Sequence, residues 1–93
     1  MKRTPKNIIF HELIGLEIEV LNHPNPELIG VRGVILWETP RTLWIAAATG
    51  KTLVILKSGG LFRVKLPGGK YTLVRGDHIM GSPPERARRI VRR

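Results

Sequence analysis

Two apolar runs, residues 31–37 and 43–47, separated only by Glu38-Thr39-Pro40-Arg41-Thr42, constrain this chain more than any other feature. Proline holds φ near the value that the second position of a β-turn needs, so the pair reads as a β-hairpin. Both runs are apolar at consecutive positions and rich in Val, Ile, Leu and Trp. Such runs predict strands with both faces at least partly covered. The expectation is a central strand pair with the rest of the chain wrapped over it.

The flanking sequence supplies further strands. Leu16, Ile18 and Val20 alternate with Glu17 and Glu19, the pattern of a strand with one dry and one wet face, and Leu21 ends it. Asn22-His23-Pro24-Asn25-Pro26 cannot continue a ladder, because each proline lacks an N–H and restricts the residue before it. Thr49-Gly50 turns the chain into a strand over 51–57, and Ser58-Gly59-Gly60 turns it again. Over 61–66, Phe62, Val64 and Leu66 alternate with Arg63 and Lys65, and Pro67-Gly68-Gly69 leads to a last strand over 70–75. Short strands joined by tight turns predict a mainly β fold, a small antiparallel barrel whose closure removes exposed edges.

The ends read as short helices. Thr4-Pro5 has the form of an N-cap and first-turn proline, Ile9, Phe10, Leu13 and Ile14 share a stripe, and Gly15 suits a left-handed helix end. Ser82-Pro83-Pro84-Glu85 has capping-box spacing and opens a basic helix with Ala87, Ile90 and Val91 as its apolar stripe. The predicted organisation is one domain: 1–15 an N-terminal basic segment and helix, 16–75 the barrel, and 76–93 a turn and basic C-terminal helix.

With 93 residues the chain can hold one small core, and without cysteine it has neither disulfides nor thiolate-bound metal. Sixteen Lys and Arg stand against seven Asp and Glu, a formal net charge of +9. Such an excess repels itself in a compact domain, and the physical compensation is a polyanion whose phosphates displace bound counterions. Nucleic acid is therefore the predicted partner. Lys2, Arg3 and Lys6 at one end, Arg86, Arg88, Arg89, Arg92 and Arg93 at the other, and Arg63 and Lys65 on a strand face are the candidate RNA-binding residues. Contacts of this kind grip and orient phosphates without reading bases. Trp37, Trp44, Phe10, Phe62 and Tyr71 lie in apolar contexts, and core packing is preferred to the alternative of Tyr71 and Trp44 as surface platforms for bases, which favours a structured RNA over a stretched single strand. No leader or apolar span is visible, and no basic helix carries a broad apolar face, so a soluble, cytoplasmic protein without a membrane partner is expected.

Catalytic patterns fail one by one. His11-Glu12 opens like a zinc-protease helix, but Gly15 stands where the second histidine belongs. Gly50-Lys51-Thr52 ends like a phosphate-binding loop, yet Ile45 replaces its upstream glycine and a strand-like run follows, so a hairpin turn is expected. His11, His23 and His78 are scattered and read as surface or capping residues, not metal ligands. Glu17 and Glu19 read as the solvated side of a strand, and Asp77 as a turn residue bonded to nearby amides. No catalytic constellation and no metal site is predicted.

Glu12-Leu13-Ile14-Gly15-Leu16 with Glu19-Val20, the segment 30–34, Glu38-Thr39 with Thr42-Leu43-Trp44-Ile45, Phe62-Arg63-Val64, and Gly76-Asp77-His78-Ile79 through Pro84-Glu85-Arg86 to Arg89 together resemble the archaeal ribonuclease P protein component 1, the family related to the eukaryotic Pop4 protein. The resemblance covers nearly the whole chain and lies in the order and spacing of these pieces. It implies a twisted Sm-like barrel and a non-catalytic subunit of the ribonucleoprotein that removes the 5′ leader from precursor tRNA. It further implies that the RNA, with bound Mg2+, performs the hydrolysis, and that the protein pairs with a second small, zinc-containing subunit. Ile8, Ile9 and Phe10 are the candidate residues for that pairing. Two other readings stand beside it: a ribosomal or translation-associated protein on an SH3-like barrel, and a stand-alone metal-dependent nuclease using Glu17, Glu19 or Asp77.

Overall fold

The computed structural model describes residues 13–81. Among them six strands form one antiparallel sheet: β1 Glu17–Asn22, β2 Arg32–Glu38, β3 Thr42–Ala47, β4 Thr52–Leu56, β5 Leu61–Lys65 and β6 Tyr71–Arg75. Their order is β4-β3-β2-β1-β5-β6, which leaves β4 and β6 as the edges. Short 3-10 turns occupy Pro26–Leu28 and Gly76–Ile79. The strands predicted from alternation and turns are all present, and Gly50 has the positive φ of 95° that its hairpin turn requires. Gly15 likewise has φ 90°, but residues 13–15, expected to end the first helix, form a turn; the rest of that helix and the C-terminal one lie outside the described residues.

The sheet curls enough to bring the chain just after β6 against the residue that follows β4. Gly76, just after β6, donates its N–H to the carbonyl of Gly60 at 2.8 Å, and a Cβ on Gly76 would lie 1.5 Å from the carbonyl oxygen of Lys57. Only glycine permits that crossing. Inside the curl Leu13, Leu16, Ile18, Val20, Ile35, Leu43, Ile45, Ile55, Phe62, Val64, Leu66, Val74 and Ile79 form one core. Phe62, Val64 and Leu66 all point into it, as their alternation predicts.

The central pair departs from expectation. Both of its faces were predicted to be covered, yet Val34, Leu36 and Trp37 of β2, and Trp44 of β3, are exposed. Val34 and Trp44 lie outward by simple alternation on a face that no other described element covers, and Trp37 joins them through a β-bulge: Ile35 pairs with Ile45 and Trp37 with Trp44, so Leu36 is the extra residue. Without it, Ile35 and Trp37 would share a face. With it, Trp37 turns outward, 58% exposed, and Glu38 turns inward.

Glu38 enters the core end to meet Lys57. Leu53 and Ile55 face inward along β4, and the same alternation carries Lys57 inward, where it is fully buried. Its Nζ donates to Glu38 Oε2 at 2.7 Å, to the carbonyls of Ile79 at 2.8 Å and Gly81 at 3.2 Å, and more distantly to that of Pro40. One ammonium therefore ties β2, the β2–β3 turn, β4 and the chain after β6 together.

Three smaller expectations are revised. The ladder of β1 runs on to Asn22 through a register shift after Val20, and Pro26 starts a 3-10 turn capped by the Asn25 side chain, which accepts from the Glu27 N–H. His23, expected at the surface or as a cap, is a buried cap: Nδ1 accepts from the Asn25 N–H and Nε2 donates to the Leu56 carbonyl, both at 2.9 Å. Asp77 bonds not to an adjacent amide but to the N–H of Gly59, 3.0 Å away across the β4–β5 turn.

Removing one member of a buried ion pair leaves the other charge uncompensated, which costs about 3–5 kcal/mol. Lys57→Met is therefore expected to lose about that much stability in urea unfolding, and Glu38→Gln, which leaves the buried ammonium without its counter-charge, a comparable amount.

Candidate nucleic-acid interface

The outer face of β1, β2, β5 and β6 carries the ordered charges of the described residues. Strand register places them: Glu19 of β1 lies opposite Arg32 of β2 on one side and Arg63 of β5 on the other, and Glu17 lies opposite Lys65. Directly opposed charges on a sheet face are within reach of each other. Glu19 Oε1 accepts from Arg63 Nη2 at 2.6 Å, Glu19 Oε2 lies 3.4 Å from Arg32 Nε, and Glu17 Oε2 lies 3.5 Å from Lys65 Nζ. Pairs this exposed add about 0–1 kcal/mol each, so their main effect is orientation.

Tyr71, at the start of β6, completes the face. Lys65 is its cross-strand partner and Arg63 a diagonal neighbour. The Arg63 guanidinium carbon sits 4.7 Å from the ring centroid and Lys65 Nζ 5.9 Å, within cation–π range. Beside the ring runs a groove of about 440 Å³ lined by Glu17, Glu19, Arg32, Val34, Arg63 and Tyr71. Arg63 Nε is buried in its wall with no hydrogen-bond partner.

The other half of the outer face is uncharged. Trp37 pairs across the strands with Trp44, and Trp44 with Val54, so that with Leu36 and Leu56 they form an exposed apolar patch over β2, β3 and β4. Trp37, Trp44 and Tyr71 are thus surface residues, against the expectation of core packing; Phe62 alone of the described aromatics is fully buried.

Of the candidate RNA-binding residues, the structure brings Arg63 and Lys65 together on one face. Lys2, Arg3, Lys6, Arg86, Arg88, Arg89, Arg92 and Arg93, and the candidate partner residues Ile8, Ile9 and Phe10, lie outside the described residues. Sequence reasoning missed Arg32, Glu19 and Tyr71 as members of this face. A usable signal was there: Glu17-Ile18-Glu19 and Arg63-Val64-Lys65 are complementary alternations, which suit adjacent strands. Glu19 is consequently no freely solvated carboxylate, since two arginines hold it. Among the described residues no group of three or more His, Asp and Glu lies together as a metal site, and no helix is long and apolar enough to cross a membrane.

Comparison with known proteins places the chain. The family described as Ribonuclease P/MRP, subunit p29, matches residues 6–89. A ribonuclease P protein component 1 of Staphylothermus marinus is 39% identical over 92 residues, covering 99% of this chain and 100% of that protein. One of Thermofilum pendens is 47% identical over 91 residues, covering 98% and 97%. Among solved structures, Mth11, a homologue of the human RNase P protein Rpp29, superposes with a TM-score of 0.61 at 29% identity, covering 82% of this chain and 97% of that one.

If Glu19 orients the two arginines, Glu19→Gln is expected to cost no more than about 1 kcal/mol in thermal unfolding. Its visible effect is expected at the side chains: the Arg32 and Arg63 Nε–H signals in NMR spectra should lose their distinct positions and converge on those of free arginine.

Proposed function

The chain belongs to the ribonuclease P/MRP subunit p29 family and is a protein subunit of ribonuclease P, and from that premise we propose that it binds and stabilises the RNA that removes the 5′ leader from precursor tRNA. The charge distribution carries this reading. The whole chain has a net charge of +9, whereas residues 13–81 hold eight Lys and Arg against five Asp and Glu, a net of +3. Two thirds of the excess thus lies in the sequence on either side of the sheet. The curled sheet acts as an Sm-like barrel, 16–75, that holds two basic arms, 1–15 and 76–93.

In this mechanism Lys2, Arg3, Lys6 and the arginines from Arg86 onward neutralise phosphates, while Arg63 and Lys65, oriented by glutamates, dock the sheet face on the folded RNA. Guanidinium forks bind two phosphate oxygens at once, which suits arginine to the task. Neutralisation lets the RNA reach its fold at lower Mg2+ concentration. Cleavage belongs to the RNA and its Mg2+, and precursor tRNA meets this protein only through that RNA.

A second, zinc-containing small protein subunit is the proposed protein partner, docked on Ile8, Ile9 and Phe10. The exposed patch around Trp37 and Trp44 supports a protein contact, because a contiguous uncharged apolar surface gains nothing from phosphates and much from another apolar surface. Phe10→Asp is expected to abolish pairing while leaving the sheet folded by circular dichroism.

Replacing Arg88, Arg89, Arg92 and Arg93 by Ala tests the RNA contact. Each phosphate contact contributes about 0.7–0.9 to the slope of log K against log salt. The fourfold variant is expected to lower that slope by about 3 for the ribonuclease P RNA. An unchanged slope would overturn the assignment, and recovery of ribosomal RNA instead of this RNA from cells would favour a translation role.

A further inference from the structure

We propose that the groove beside Tyr71 is a binding site for one unpaired RNA nucleotide, with guanine the base it fits best. The ring of the base stacks on Tyr71, its Watson–Crick edge meets the Glu17 carboxylate, and a phosphate of the adjoining nucleotide meets Arg32. The site lies within the subunit reading above and specifies what the sheet face takes from the RNA.

Tyr71 is 55% exposed, and cations at 4.7 Å and 5.9 Å hold its ring in place on the sheet. A base stacks on this ring by displacing the more distant Lys65 ammonium, while Arg63 keeps its contact. The adjoining groove, about 440 Å³, is of the size that small-molecule sites have. Arg32 extends into solvent with a single 3.4 Å contact to Glu19, so most of its five N–H donors remain for a phosphate.

The carboxylates set the choice of base. Glu19 is taken by two arginines, but Glu17 is exposed and held only at 3.5 Å by Lys65. A carboxylate only accepts hydrogen bonds. Guanine presents two adjacent donors, N1–H and the N2 amino group, to its two oxygens; uracil presents one N–H between two carbonyls that repel it. Arg63, whose buried Nε–H has no acceptor among the described residues, lines the same groove and reports on its occupation. An acidic peptide, the other ligand that arginines attract, would be repelled by Glu17 and Glu19.

NMR titration of the full-length isotope-labelled chain with the RNA pentamers UUGUU and UUUUU tests this. UUGUU is expected to shift the Tyr71 ring and Arg63 Nε–H signals saturably, and UUUUU to bind at least about fivefold more weakly. Tyr71→Leu is expected to weaken UUGUU about tenfold, Tyr71→Trp to preserve its binding, and Glu17→Ala to erase the preference over UUUUU. Equal binding of UUGUU by the wild type and Tyr71→Leu overturns the site, as do shifts that spare Tyr71 and Arg63. Titration with the ribonuclease P RNA separates the two levels. If the wild type binds that RNA with a steep salt dependence while the pentamers leave Tyr71 untouched, the nucleotide site is wrong and the subunit reading stands; if it binds neither, both are wrong.

Discussion

A single buried ammonium organises this fold. Burying the Lys57 charge costs several kcal/mol in desolvation, and only the Glu38 carboxylate together with the carbonyls of Ile79 and Gly81 makes the position tolerable. Those partners come from β2 and from the chain after β6, so satisfying Lys57 requires the sheet to curl. Gly76, where any side chain would strike the Lys57 carbonyl, is the steric half of the same junction. Apolar residues could close this end with equal or greater stability. A charged junction is more selective, because its donors and acceptors are satisfied in one arrangement alone.

The junction also bears on function through geometry. Gly81, held by Lys57, is the last described residue before the arginine-rich sequence, so the pair fixes the point from which that sequence leaves the sheet. A subunit of a ribonucleoprotein whose RNA is the catalyst needs no catalytic side chains of its own.

The outer surface separates into two chemistries along the strand order. Towards β4, Trp37, Trp44, Val54 and Leu56 make an uncharged field; towards β6, glutamates interleaved with arginine and lysine surround one exposed tyrosine. The division follows from register, since Val34 and Ala46 pair where the charged positions of β2 give way to apolar ones. One half of the surface offers charge and the other its absence.

Local patterns were enough to predict the hairpin at Pro40, the alternating strands β1 and β5, the glycine turns between strands and the need for a polyanionic partner. Each of these depends on a residue and its near neighbours, through fixed φ, side-chain period or summed charge. The placement of Trp37, Glu38, Lys57 and Arg32 was not legible in the same way. A one-residue bulge inverted the two faces of β2, turning a tryptophan out and a glutamate in, and pairing between strands far apart in the chain gave Glu19 its two arginines. Composition and period, then, determined the kind of fold and the kind of ligand. Only the tertiary structure decided which side chains share the outer face, because register and bulges are settled by contacts between segments that no local pattern records.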